Sequence, residues 1–349
     1  MPTSLRLRVL SRHARRLVRG PATLGTAAYR TEIIEPATSA DITPSIYLPG
    51  QIEKIISASK ATTLPYQIDV ATSLKALHAA SIAYHIRDAT LFDGSFYSGR
   101  LRHMCADVGG AAKSEIKYFD DAAVLSSLVG TRFFGHWLTD DCPKYLLAER
   151  YAPPLSLRHP YEDLKQYANY FDQHWTSTDC ARIKRLVVFQ DHGQGKDRQA
   201  RYEILHNRLA ANFPKPTNSS VVYLRRGNTG IARLIKNEED ILVELTKRGF
   251  VVADLSNDGL DAIIQKLMSA RVVVSIEGSQ VAHCCAAMKQ NTGLVILSLP
   301  TVFGAVHRGW AEARHIRYGF VVGSVAEGGF TYDSSDILLT VDKMLSALN

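Results

Sequence analysis

FVVADLSNDGLDAIIQKLMSARVVVSIEGSQVAHCCAAM, residues 250–288, runs through strand, helix, strand and helix in one pass. FVVADL (250–255) and RVVVSI (271–276) are short, β-branched apolar runs, the pattern of strands buried on both faces of a parallel sheet. Between them Leu260, Ile263, Ile264, Leu267 and Met268 recur at i, i+3, i+4, i+7 and i+8, a single apolar stripe at helical period. Outward from this core, VVYLR (221–225) and the helix NEEDILVELTKRG (237–249) precede it, and GLVILSL (293–299) follows. Asn237 is placed to cap that helix, Glu238 and Glu239 suit its first turn, and Gly249 stands just past its end. Strands alternating with amphipathic helices imply an α/β fold with a parallel sheet and right-handed crossovers, so residues 215–325 read as a Rossmann-like domain.

The 349 residues are enough for two domains that each bury a core. AVLSSLV (123–129) and RLVVFQ (185–190) read as buried strands, RYEILHNRLAANF (201–213) as a helix, DHGQGKDRQA (191–200) as a polar loop and PKPTNS (214–219) as a linker. The expected organisation is a basic segment 1–20, a second α/β domain 21–213, a Rossmann-like domain 220–325, and a C-terminal helix in 326–349 packing back on the N-terminal domain. An apolar fraction of 46% and a charged fraction of 21% are those of a soluble globular chain, and no run approaches the ~18 apolar residues that span a bilayer. Five cysteines, two of them adjacent at Cys284 and Cys285, have neither metal-type spacing nor the even count of a disulfide framework, which fits a reducing compartment. The net charge of +7 is concentrated partly in Arg6, Arg8, Arg12, Arg15, Arg16 and Arg19, interleaved with Leu5, Leu7, Leu10, Leu17 and Val18. Such a segment lies on an anionic membrane or forms a solvated terminus, and it lacks the continuous apolar core of a secretory signal. The expected location is cytoplasmic, with peripheral contact at the inner face of the plasma membrane as the variant this segment would add.

Ligands of an open parallel sheet bind beyond the carboxyl ends of its strands. At one such end Gly278 allows close backbone approach, Ser279 can cap the next helix while facing a phosphate, and Glu277 can accept from sugar or ribose hydroxyls. The structural alternative is an ordinary strand-to-helix turn. After the domain's first strand, YLRRGNTGIARLIKNE (223–238) places Arg225, Arg226, Arg233 and Lys236 on the same edge, where guanidinium forks match phosphate oxygens. The P-loop pattern, a DxD metal-nucleotide pair, a GxGxxG after a strand and a GxSxG elbow are all absent.

A third constellation, FFGHWLTDDCPKYLLAERYA (133–152), sets His136 and Asp140 four residues apart, where one helical turn would let either take a proton from a hydroxyl. Pro143 favours a helix starting near Asp141, which leaves GHWL in a loop. The structural alternatives are Asp141 as an N-cap, Asp140 paired with Lys144, and Trp137 and Leu138 in the core.

In order, Gly135-His136-Trp137-Leu138 with Asp140, Tyr223-Leu224 with Arg226, Arg233 and Asn237-Glu238, Gly249-Phe250, and Glu277-Gly278-Ser279 resemble the pattern of glycosyltransferase family 61, also described as DUF563, over about 130 to 300. Two departures stand out: the family's Pro-His-Gly is Ile276-Glu277-Gly278 here, and the serine before the matching arginine is Arg225. The resemblance implies a GT-B-like architecture of two Rossmann-like domains facing a cleft, and inverting transfer from a nucleotide-sugar donor to a hydroxyl of a glycan or lipid-linked glycan acceptor. In bacteria such proteins resemble enzymes of capsule, lipopolysaccharide or exopolysaccharide assembly. On this reading the donor contacts are Arg225, Arg226, Arg233, Glu238, Glu277, Gly278, Ser279, Gln280 and His283, with His283 reaching the phosphate from the first turn of a helix beginning near Ser279. Asp140 is the preferred base, with His136 sharing the proton. Beyond the donor no cofactor is expected, nor a divalent metal or nucleic acid. The alternative is a noncatalytic binder of an anionic polymer or nucleotide on the same fold.

Overall fold

The computed structural model describes residues 3–107, 115–216, 220–226 and 233–349. Parts of two sequence readings, 217–219 of the linker and 227–232 of the arginine-rich turn, lie outside the described residues. The chain divides into two compact units, Met1–Thr38 with Leu77–Arg201, and Ser39–Ala76 with Tyr202–Asn349.

The first unit opens with helix α1 (Thr3–Arg19) and is built on a mixed sheet around β1 (Ser81–Phe92), β2 (Lys117–Val124) and β3 (Cys180–Gln190). β3 runs antiparallel to β1, from Cys180↔Phe92 to Gln190↔Ile82, and parallel to β2, from Ala181↔Lys117 to Val187↔Ala123. Its α/β character agrees with expectation, but the antiparallel half sets it apart from a second Rossmann-like sheet. The run 123–129 leaves the sheet at Val124, because Ser127 caps a short helix, Leu128–Arg132, by accepting from the Gly130 N–H at 3.0 Å. Helix α2 (Cys142–Ala148) follows. Helix α3 (Lys196–Ala210) begins inside the stretch read as a polar loop. Glu35, from a distant strand, accepts from the Lys196 and Asp197 N–H groups at 2.7 and 3.3 Å, supplying a cap that no neighbouring residue encodes.

The second unit holds five parallel strands: β4 (Ser220–Arg225), β5 (Val251–Asp254), β6 (Ala270–Ile276), β7 (Gly293–Ser298) and β8 (Arg317–Val322), in the order β5-β4-β6-β7-β8. Helices α4 (Glu238–Lys247), α5 (Leu260–Met268), α6 (Val281–Ala287), α7 (Val306–Ala313) and α8 (Ser334–Ala347) alternate with or follow them. The chain leaves β4 for β5 on one side and returns to β6 on the other, so the order in which strands are added reverses between β4 and β6. Such a switch point opens a crevice at the carboxyl ends of the two strands.

Two expectations about boundaries change here. Helix α8 buries Ile337, Val341 and Met344 in the same cluster as Val272, Val295 and Val321, so it completes its own unit's core. Residues Ser39–Ala76 also belong to this unit. Ile46 bridges the edge strand β8, its N–H donating to Tyr318 O and its carbonyl accepting from Phe320 N, both at 3.0 Å. Arg308 on α7, 1% exposed, donates to the carbonyls of Thr43, Val70 and Ser73 at 2.9, 2.7 and 2.7 Å. Arg308→Met would leave three acceptors without their donor, and at ~1–3 kcal/mol per buried group a loss of about 3 kcal/mol is expected in urea unfolding. A loss below about 1 kcal/mol would show that Arg308 does not anchor this segment.

Candidate functional site

The switch point carries the first site. Arg226 follows β4 directly and Glu277 follows β6 directly. Arg226 Nη1 donates to the Glu277 carbonyl at 3.3 Å, and Arg233 Nη1 donates to the same oxygen while standing 3.5 Å from Glu277 Oε1. The carboxylate, in a residue only 5% exposed, accepts from Leu299 N at 3.5 Å. Burial pushes the Glu277 carboxyl up to about 7, against the opposing pull of Arg233 and Arg226. Burial and the charge of Arg233 lower the pKa of Arg226.

Gly278 has φ 154°, and a Cβ there would collide with Arg226 Nη1 and Gln280 Oε1, so only glycine lets the guanidinium lie against the backbone. His307, buried near the start of α7, meets the Gly278 carbonyl through Nε2 at 3.1 Å. Sequence reasoning passed over His307, which carries no local motif. The result is two guanidinium groups beside one carboxyl whose charge varies near neutrality, a setting that accommodates an anion with several oxygens.

Other expected donor residues are turned elsewhere. Strand alternation sends Arg225 away from Arg226, into an ion-pair cluster with Glu238 at 3.1 Å, Glu239, and Asp254 at 3.8 Å, while Tyr223 Oη donates to Glu238 at 2.8 Å. Arg225 and Glu238 therefore brace β4 against α4. Asn237 does not cap α4 with its side chain, which instead bonds the Tyr332 carbonyl at 2.8 Å and N–H at 3.2 Å. Gln280 points inward, its Nε2 donating to Ile276 O at 2.5 Å and reaching Ser275 Oγ at 3.4 Å. Helix α6 starts at Val281 after the half-buried Ser279, and no side chain caps it. His283 is buried, and desolvation pushes it down to about 4, so it is neutral and offers a phosphate no cationic edge.

The second site is in the first unit. Phe134–His136 forms a helical turn that widens to π geometry over Trp137–Asp141 before α2, so GHWL is helical and not a loop. His136 Nδ1 lies 2.6 Å from Asp140 Oδ2. Arg198, fully buried on α3, donates to Asp140 Oδ1, to Thr139 O at 2.8 Å and to Asp191 O at 2.5 Å. Arg201 holds both carboxylate oxygens of Asp191 at 2.9 Å, and Ser81 Oγ donates to Asp191 at 2.7 Å.

Burial would raise the Asp140 carboxyl, but Arg198 and the His136 bond outweigh it and hold it below the usual carboxylate range. Asp141 faces the other way, accepting from Ser127 N at 3.1 Å and from Lys144 Nζ at 3.1 Å. Lys144 is thus the partner of Asp141, not Asp140. Trp137 and Leu138 are buried core residues. Arg198, Asp191 and Arg201 were missed, since they lie in or beside the stretch read as a polar loop.

Among the described residues no group of three or more His, Cys, Asp or Glu is placed to hold a metal ion, and no helix is long and apolar enough to cross a membrane. All five cysteines are buried thiols.

A doubly wound sheet with an arginine pair at its switch point defines the second unit as an α/β module. Residues 134–295, which include Arg226, Arg233 and Glu277 of the first site and His136, Asp140 and Arg198 of the second, match the family model described as Glycosyltransferase 61. That match supports a member of glycosyltransferase family 61. No curated protein matches the chain. Among solved structures, a mutant flavo di-iron protein from Thermotoga maritima aligns at 9% identity and a TM-score of 0.29, covering 77% of this chain and 65% of that one, a likeness too slight to bear on function.

The Glu277 environment has a measurable pH signature. A carboxyl raised from 4.5 to about 7 favours the folded state fully below its ordinary value, and that contribution is lost as pH rises through about 7. Glu277→Gln removes this dependence. The variant's unfolding midpoint should therefore rise relative to wild type between about pH 5 and about pH 8, as read by scanning fluorimetry. An offset that stays constant across that range would contradict the buried-carboxyl account.

Proposed function

We propose that this protein is an inverting, metal-independent glycosyltransferase that moves a sugar from a nucleotide-sugar donor to a hydroxyl of a glycan acceptor. The convergence of Arg226 and Arg233 on the Glu277 carbonyl at the switch point carries the reading. Two fixed guanidinium groups can neutralise the charge that develops on a departing nucleoside diphosphate, the task a DxD-held cation performs in other transferases. Helix α6, with seven residues, adds only a short dipole, so the arginines supply most of this stabilisation.

His136 is better suited as the base than Asp140, reversing the order expected from sequence. Asp140 spends one oxygen on Arg198 and the other on His136, and its carboxyl is held below the usual range, which makes it a weak proton acceptor. It is well placed to fix the imidazole with Nδ1–H facing the carboxylate, which leaves Nε2 to take the proton. The acceptor oxygen attacks the anomeric carbon as its proton passes to Nε2, the bond to the phosphate oxygen breaks, and its electron pair leaves with the diphosphate. One displacement inverts the centre and needs no covalent intermediate. Synthesis of a bacterial surface polysaccharide is the setting this reading favours.

His136→Ala should lower turnover by ~10²–10⁴-fold, the usual range for a lost general base, with donor affinity changed less than about twofold. Asp140→Asn should also lower turnover while sparing donor binding. Full turnover in both variants would remove the pair from the mechanism, whereas donor binding without turnover in the wild type would favour a noncatalytic binder.

A further inference from the structure

Helix α1 carries a surface that neither site uses. Leu7, Leu10, Ala14, Leu17 and Val18 recur at i, i+3, i+7, i+10 and i+11, an arc of one helix face, and all are exposed, Leu17 and Val18 at 85% and 83%. The opposite face is occupied. Val9 is buried, and Arg12 donates to Tyr97 O at 2.5 Å and Asp88 O at 2.7 Å on the first unit's sheet. At the helix's end Arg100 Nη1 donates to the Arg19 carbonyl at 2.5 Å. The helix is thus fixed to its unit and presents its apolar stripe outward. Its sequence contains six arginines and no acidic residue.

We propose that α1 docks this protein on an anionic lipid surface, with Leu7, Leu10, Leu17 and Val18 entering the headgroup–acyl boundary and the helix's net positive charge drawing it to lipid phosphates. An apolar stripe on a strongly basic helix suits an interfacial position in such a bilayer. A second copy of the chain is a poorer occupant, because it would bring two arginine-rich helices together without any acidic residue on either. The inference does not rest on the donor-site reading.

The test is cosedimentation of the full chain with vesicles of phosphatidylcholine and phosphatidylglycerol, against vesicles of phosphatidylcholine alone. Binding is expected only with the anionic lipid, weakening as salt rises. The double variant Leu10→Asp, Leu17→Asp should bind at least about tenfold more weakly with an unchanged unfolding midpoint, since both side chains are exposed in the free protein. Absence of binding, equal binding to neutral vesicles, or full binding by the double variant would overturn the proposal. A dimer in sedimentation velocity that the double variant loses, without vesicle binding, would overturn it in favour of self-association.

Discussion

The second unit is organised around one backbone carbonyl. The Glu277 oxygen receives both Arg226 and Arg233, and the residues around it make that double donation feasible. Gly278 removes the side chain that would displace Arg226, Gln280 ties the turn back to Ile276 O, and His307 holds the next carbonyl. Placing two guanidinium groups this close is costly unless a negative charge is near. The Glu277 carboxyl supplies part of that charge, and its protonation near neutrality makes the supply adjustable. In the proposed function an incoming diphosphate would supply the rest.

The first unit uses the opposite electrostatic logic. Half-buried Asp140 and buried Arg198, Asp191 and Arg201 form a chain of paired charges that holds both carboxyls below their usual range. Such networks contribute little net stability relative to apolar packing but are expensive to break, so they fix geometry. What they fix here is the orientation of His136 through Asp140, on a π turn that departs from the regular helical ladder.

Much of the second unit was legible because its strands and helices are continuous runs whose period shows locally. Val272 to Ile276 read as a buried strand and form one, and Leu260 to Met268 bury the stripe that their spacing prescribes. Long-range partners were not legible. Arg308 reaches Ser73 across 235 residues, Glu35 caps a helix 161 residues away, and Arg198 meets Asp140 across 58, with no sequence pattern linking either end. The pairing of Arg225 with Glu238 had a signal in the sequence, since adjacent strand-end residues face opposite sides and acidic residues in the following helix offered Arg225 a partner. Pro143 was given too much weight, because the π turn before it absorbs the missing donor and keeps the segment helical.

The central claim is that Arg226 and Arg233 bind the diphosphate of a nucleotide donor without a metal. The most direct measurement is thermal unfolding with UDP, GDP, CDP and CMP in EDTA, on the wild type and on the Arg226→Ala, Arg233→Ala double variant. A ligand at a hundred times its dissociation constant stabilises the folded state by about 2.7 kcal/mol, enough to move the midpoint clearly. The account predicts that at least one nucleotide raises the wild-type midpoint in EDTA and leaves the double variant unmoved. It is contradicted if no nucleotide shifts the wild type, or if the shift survives the loss of both arginines.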